Sequence, residues 1–222
     1  MSPGRYRARL KEVDFEYKNY CIDQRDSEND SNSAKKAFNI QEIFKQMSVK
    51  SLEFEIGCGN GHFILSKALE NPGVCYIANE IKETVTKKAI IKIHKQNLKN
   101  VFFLRGDIQY FINFFNDDSL DCVYINFPDP WPKNRHLKRR LINQIFLNII
   151  YQKLKKFGII YFVSDNKNYI DYSIAQFKEF LKFKPCIPNF GTIGELPGYP
   201  TSLYESLFRK QNIPIYYTYY RK

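Results

Sequence analysis

The chain has 222 residues, with 34 Lys and Arg against 23 Asp and Glu for a net charge of +11. That length holds one ordinary core, and the positive balance points to an anionic partner, most often nucleic acid, with codon bias toward Lys, Asn, Ile, Phe and Tyr supplying part of the excess. No apolar run nears the ~20 residues that span a bilayer, the five cysteines form no C-x-x-C pair and the three histidines lack metal-ligand spacing, so a soluble, cytoplasmic protein without membrane anchor, disulfide framework or metal is expected.

Arg5, Arg7, Arg9 and Lys11 surround Tyr6, and residues 23–36 are almost wholly polar. These predict a basic arm and linker over 1–37 ahead of a domain over 38–222. Leu52–Ile56 is predicted as a strand, followed by a glycine loop and a helical pattern at Phe63, Ile64, Ala68 and Leu69. Val74–Ala78 reads as a second strand, 82–96 as a helix, Val101–Leu104 as a third strand and Ile108–Phe115 as a short helix. Asp121–Ile125 is a fourth strand, 138–155 a long helix, Gly158–Val163 a fifth strand and Asn168–Lys182 another helix. Pro and Gly crowd 185–200, Tyr204 and Glu205 are expected in a loop, and Ile213–Tyr220 is a last aromatic strand. Alternation of this kind means βαβ units and a mostly parallel sheet covered on both faces.

The glycine loop reads Glu55-Ile56-Gly57-Cys58-Gly59-Asn60-Gly61. Glycines after a strand permit a tight turn and bring bare backbone to a ligand. Their G-x-G-x-G spacing departs from the G-x-G-x-x-G of dinucleotide sites, and the acid at Glu55 would repel phosphates. Glu80 and Asp107 follow the next two predicted strands. Glu80 is placed to accept both ribose hydroxyls, and Asp107 to meet an adenine amino group or to cap the next helix. Three acids at three successive strand ends fit a nucleoside that lacks phosphates and carries positive charge; S-adenosylmethionine (SAM) is that molecule.

Residues 126–133 read Asn-Phe-Pro-Asp-Pro-Trp-Pro-Lys. Three prolines in five residues exclude both helix interior and sheet ladder, because each removes a donor and fixes φ. A stiff loop at the carboxyl end of a strand is where open α/β sheets place ligand chemistry. It carries Asp129 and the only tryptophan, Trp131, ahead of Lys133, Arg135, His136, Lys138, Arg139 and Arg140. The acid and aromatic suit a base, and Lys133, Arg135, Lys138, Arg139 and Arg140 suit RNA phosphates, the competing account being a solvated helix face. Trp131 reads equally as a stacking platform or as packing at the loop base, and Asp165 as a base contact or a helix cap.

Over roughly residues 38–222 the chain resembles the bacterial tRNA (guanine-N7-)-methyltransferases. The matching segments are E-I-G-C-G-N-G-H-F at 55–63, Y-I-A-N-E-I at 76–81, R-G-D at 105–107, N-F-P-D-P-W-P-K-N-R-H-x-K-R-R at 126–140, V-S-D-N at 163–166 and Y-E-x-x-F at 204–208. The resemblance implies a class I SAM-dependent methyltransferase fold, a Rossmann-like three-layer α/β sandwich whose seven-stranded sheet is mostly parallel with an antiparallel last strand. It implies SAM held through Glu55, the loop of Gly57, Gly59 and Gly61, Glu80, Asp107 and Asp129, with Asp129 also the catalytic residue. Lys133, Asp165 and the segment Thr201, Ser202, Tyr204 and Glu205 are implied to hold tRNA, and the product to be N7-methylguanosine at position 46 of the variable loop. The family pattern Thr-x-aromatic-Glu is altered here: either Ser202 stands for the threonine in register, or Thr201 serves after an insertion. A monomer or homodimer fits equally.

Guanine N7 carries an in-plane lone pair and no proton, so its methylation needs no general base; positioning and placed negative charge are what a site must supply. Two other readings compete. A methyltransferase acting on an exocyclic amine has a loosely similar N-P-P-[YF] loop, against which the charged Asp129 argues. A tRNA-binding module holding SAM without turnover is opposed by the intact acids at Glu55, Glu80, Asp107 and Asp129.

Overall fold

The computed structural model describes residues 19–25, 43–44 and 49–222, and the chain forms two compact units divided after Phe114. The basic residues Arg5 to Lys11, most of the polar linker and the expected boundary at residue 37 lie outside the described residues.

The first unit contains β1 (Cys21–Asp23), β2 (Leu52–Ile56), α1 (His62–Glu70), β3 (Cys75–Glu80), α2 (Glu83–Lys95), β4 (Val101–Arg105) and α3 (Ile108–Phe111), the last running into a 3-10 turn at Ile112–Phe114. Its strands lie in the order β1-β4-β3-β2, all parallel. Every residue of β3 is buried, so its apolar run is continuous rather than alternating, as in a parallel strand with both faces covered. Ile64 and Ala68 of α1 and Ala89, Ile90 and Ile93 of α2 share one apolar cluster with Tyr76, Ala78 and Phe103 of the strands. Truncating one such fully buried isoleucine to alanine costs about 2–5 kcal/mol.

One expectation fails here. Cys21–Asp23 falls within the predicted arm and linker, yet it pairs in parallel with Phe103–Arg105 as a strand of the sheet. Its polar flanks hide it, and a buried ion pair fixes it: the Asp23 carboxylate meets the Arg105 guanidinium, and both residues are buried. Removing Asp23 would strand the buried Arg105 charge, a loss of about 3–5 kcal/mol.

The second unit contains β5 (Leu120–Asn126), a 3-10 segment at Asn134–Arg139, α4 (Gln144–Lys153), β6 (Leu154–Ser164), α5 (Lys167–Phe180), β7 (Lys184–Pro185), α6 (Leu203–Lys210) and β8 (Tyr216–Arg221). The order is β5-β6-β8-β7, with β5 parallel to β6 and β8 antiparallel to both β6 and β7. The antiparallel last strand is therefore as expected. Eight strands occur among the described residues, one more than the seven implied, and β1 is the addition.

Two further expectations are corrected. The long helix over 138–155 is a basic 3-10 segment and then a separate α4, because the Asn143 side chain accepts the Phe146 N–H at 3.0 Å and starts the helix there. Tyr204 and Glu205 lie on a helix, not in a loop: Ser202 caps α6 by accepting the Glu205 N–H at 3.1 Å.

Candidate functional site

In the first unit, the carboxyl ends of three adjacent parallel strands converge on the glycine loop. Glu55, the penultimate residue of β2, is in register with Ala78 and is 2% exposed. Glu80 closes β3, and its two carboxylate oxygens accept the backbone N–H groups of Gly59 at 3.1 Å and Lys82 at 2.9 Å. One acid thus fixes the glycine loop to the strand beside it while its remaining lone pairs stay available. Gly57 and Gly59 have φ of +73° and +53°, and a Cβ on either would meet no atom within 4 Å. They leave bare backbone facing open space, whereas Gly61 serves packing: its Cβ would stand 2.7 Å from that of Ala89 on α2.

Asn79 and Lys92 were not singled out from sequence, yet both shape this loop. The Asn79 side chain donates to the carbonyls of Leu104 and Gly106, 3.0 Å each, and the Asn79 backbone carbonyl accepts the Cys58 N–H at 2.8 Å. Lys92 reaches from α2 to the Asn60 carbonyl at 2.7 Å. Partial burial, then the neighbouring Lys88, lower the Lys92 pKa, while Cys58 opposes the shift. Cys58 lies between the acids; burial, then Glu55 and Glu80, push its thiol far above the ordinary range and keep it protonated. Asp107 is exposed at the end of β4 and caps α3, accepting the Gln109 N–H at 2.9 Å, while its own N–H donates to the Gln24 side chain at 2.8 Å. The capping alternative for Asp107 is therefore present, and it uses one carboxylate oxygen.

In the second unit the proline segment leaves β5 under backbone strain. Phe127 and Trp131 have φ of +51° and +42°, in the left-handed region that costs a non-glycine residue about 1–3 kcal/mol. Phe127 donates its N–H to the Val163 carbonyl at 2.8 Å, tying the loop to the end of β6. Its ring packs on Phe208 at 5.5 Å and Tyr204 at 6.5 Å, so the loop and α6 adjoin. Asp129 projects from this scaffold exposed. Trp131 packs against its own chain, edge-on to His136 at 5.6 Å and under the Arg139 guanidinium at 4.9 Å.

The cations divide. Lys133, Arg135, Lys138 and Arg139 are exposed, as a phosphate-binding role requires. Arg140 is 6% exposed and donates to the Pro130 carbonyl at 2.9 Å, which differs from the role expected of it. Asp165 is half-buried at the end of β6 and does not cap α5; Asn166 does, accepting the Tyr169 N–H at 2.9 Å. Near α6, Thr201 is exposed, Ser202 is buried in its capping bond, and Tyr204 is exposed. Glu205 is 3% exposed, with its carboxylate accepting from the Tyr217 hydroxyl and from Arg209 Nε at 2.9 Å.

Residues 49–218 match a family model described as "Putative methyltransferase". A tRNA (guanine-N(7)-)-methyltransferase of Mycoplasma genitalium is 37% identical over 144 residues, 64% of this chain and 69% of that protein. The chain belongs to this family. The Streptococcus uberis member is 41% identical over 129 residues, 58% of this chain and 61% of that protein, so the match spans about three fifths of the relative's length.

Solved structures place the fold of the family. A 16S rRNA methyltransferase, KamB, aligns over 81% of this chain and 92% of its own with a TM-score of 0.59 at 11% identity. A 30S ribosomal A1408 methyltransferase from an uncultured bacterium aligns over 82% and 91% with a TM-score of 0.56 at 21% identity. At such identities the likeness shows the fold alone: the mostly parallel α/β architecture of class I methyltransferases.

Proposed function

We propose that this chain is a SAM-dependent methyltransferase that modifies N7 of guanosine in tRNA, at position 46 of the variable loop, in the cytoplasm. The observation that carries the reading is Asp129, an exposed carboxylate on a strained, proline-braced loop at a strand end, in a chain of this family. A loop that holds two non-glycine residues at positive φ is stable only where its surroundings enforce it, and such strain concentrates at functional sites.

The residues of the first unit fit the cofactor. Open space over Gly57 and Gly59 leaves their backbone approachable, and the Asn60 Oδ1 beside them is buried without a hydrogen-bond partner. Glu80, fixed by two backbone N–H groups, would accept the ribose hydroxyls; Asp107 would meet the adenine amino group through its second oxygen; Glu55 would offset the positive charge of the amino-acid end. Bound there, the cofactor supplies a sulfonium methyl as electrophile.

The chain's own work is binding, orientation and charge. Guanine N7 carries an in-plane lone pair and no proton, so these residues would have no proton to remove, and the methylated purine would be cationic. Asp129 would either hold negative charge for that developing cation or accept hydrogen bonds from the guanine N1–H and amino group. Asp165, Tyr204 and the Thr201 hydroxyl would hold the tRNA; Ser202 and Glu205 would shape α6 beneath them. Lys133, Arg135, Lys138 and Arg139 would meet phosphates.

The test is transfer of labelled methyl from SAM to unmodified tRNA, with the product nucleoside identified by mass. N7-methylguanosine that disappears with Asp129→Ala, and with replacement of guanosine 46, is expected. Label on another nucleoside would overturn the N7 assignment, and absence of transfer despite SAM and tRNA binding would overturn catalysis.

A further inference from the structure

We infer that Arg140 is a positioning residue of the Asp129 loop and not a phosphate contact. The inference rests on the proposed methyl transfer only in its kinetic arm.

Pro128, Pro130 and Pro132 have no N–H, so this stretch cannot close on itself through the usual turn hydrogen bonds. Donors from elsewhere in the chain can therefore fix its carbonyls in place. Arg140 Nε is such a donor, 2.9 Å from the carbonyl of Pro130, the residue next to Asp129. The guanidinium is itself seated on two rings of α5, its central carbon 4.9 Å from the Tyr169 ring centre and 4.6 Å from that of Tyr172. The next residue is tied to the same helix, because the Leu141 N–H donates to the Tyr169 hydroxyl at 3.1 Å. Two consecutive residues therefore staple the basic segment to α5, and Arg140 carries that anchorage to the peptide beside Asp129. Since α5 begins just after Asp165, one helix sets the position of both acids.

Arginine suits this place and lysine does not. A planar guanidinium can lie on aromatic faces while its Nε–H points along a fixed direction; an ammonium has neither property. Arg139 supports the same loop from its other side, over the Trp131 ring, while remaining exposed.

The test uses the full chain with Arg140→Ala, Arg140→Lys and, as contrast, Lys138→Ala. Trp131 is the only tryptophan, so its emission and its quenching by acrylamide report the loop without reference to activity. Both Arg140 variants are expected to shift Trp131 emission, increase quenching, and lower kcat about 10- to 100-fold through misplacement of Asp129, with the KM for tRNA and its salt dependence unchanged. Lys138→Ala is expected to do the reverse, raising KM in a salt-dependent way with Trp131 emission unchanged. Wild-type kcat and emission in Arg140→Lys, or a salt-dependent KM rise with unchanged emission in Arg140→Ala, would overturn the inference. Should Arg140→Ala fail to fold, Arg140→Lys decides alone. Should the wild-type chain transfer no methyl group, the Trp131 signals still decide the loop, and only the proposed function falls.

Discussion

Tyr217 of β8 donates its phenolic proton to the Glu205 carboxylate of α6, which also receives Arg209. Burial, then the hydrogen bond to Glu205 and its charge, raise the Tyr217 pKa far above that of an ordinary tyrosine, about 10. The sign is then fixed: folding stability from this group is complete below pH ~10 and declines as pH rises, because unfolded tyrosine ionises while Tyr217 stays protonated. Burial pushes Tyr169 and Tyr220 up to about 12 as well, adding to the same alkaline loss. Denaturation midpoints should therefore fall as pH rises above ~10, the pKa of free tyrosine. Tyr217→Phe should be less stable at neutral pH by about 1.5–3 kcal/mol, having left a buried carboxylate short of a donor, and should fall less steeply with pH. A parallel pair of pH curves would refute the account.

Gly59 and Gly61 are two residues apart and should fail differently. Alanine at Gly59 meets open space but must adopt φ of +53°, a strain of about 1–2 kcal/mol. Its methyl group projects where the cofactor is proposed to lie, so affinity for S-adenosylhomocysteine should suffer out of proportion to the melting temperature. Alanine at Gly61 adds to its φ of +71° an approach of 2.7 Å to the Ala89 Cβ, which forces the loop and α2 apart. Overpacking of that kind costs a further ~1–3 kcal/mol, so Gly61→Ala should lose mainly stability. Calorimetric titration beside thermal melting separates the two outcomes; equal losses in both quantities for both variants would not fit.

What the sequence alone revealed depended on how local each cause was. The strand-end places of Glu55, Glu80 and Asp107 were legible because at each an apolar run gives way within a few residues to polar residues or glycine. The second role of Asp107, as a cap of α3, was equally local. The burial of Arg140 was not legible because it depends on Tyr169 and Tyr172, about thirty residues later, and a run of cations carries no sign of which one turns inward. Glu205 was misplaced for the same reason: Ser202-x-x-Glu205 is a capping pattern, but Tyr217 decides where the carboxylate goes. The strand Cys21–Asp23 is three residues long between polar neighbours, and only its pairing with β4 and the Asp23–Arg105 contact identify it.

The exposed cations make a quantitative claim about tRNA. Lys133, Arg135 and Lys138 are solvent-exposed around the 3-10 segment. If each neutralises one phosphate, the slope of log affinity against log salt should become shallower by roughly 0.7–0.9 per residue replaced. Filter binding of tRNA between 50 and 200 mM salt (the range over which such slopes are steep), for Lys133→Ala, Arg135→Ala, Lys138→Ala and the triple variant, tests this. An unchanged slope in the triple variant would assign the segment to solvent.

Asp129 stands exposed between Pro128 and Pro130, so its carboxylate can be made neutral with little change of shape. Asp129→Asn keeps one acceptor oxygen and the loop backbone, and removes only the charge and the second acceptor. Because N7 loses no proton during attack, a general base is not what the variant lacks. The expected deficit is in stabilising the cationic purine as it forms, which lowers kcat by about 100-fold or more, a magnitude typical of a placed electrostatic group. Cofactor affinity, measured by titration, should change far less, since Glu80 and the glycine loop remain. Trp131 emission should also stay at its wild-type position, separating loss of charge from loss of loop geometry. An Asp129→Asn enzyme that retains most of its kcat would show that negative charge is dispensable and leave orientation of the base as the residue's whole contribution.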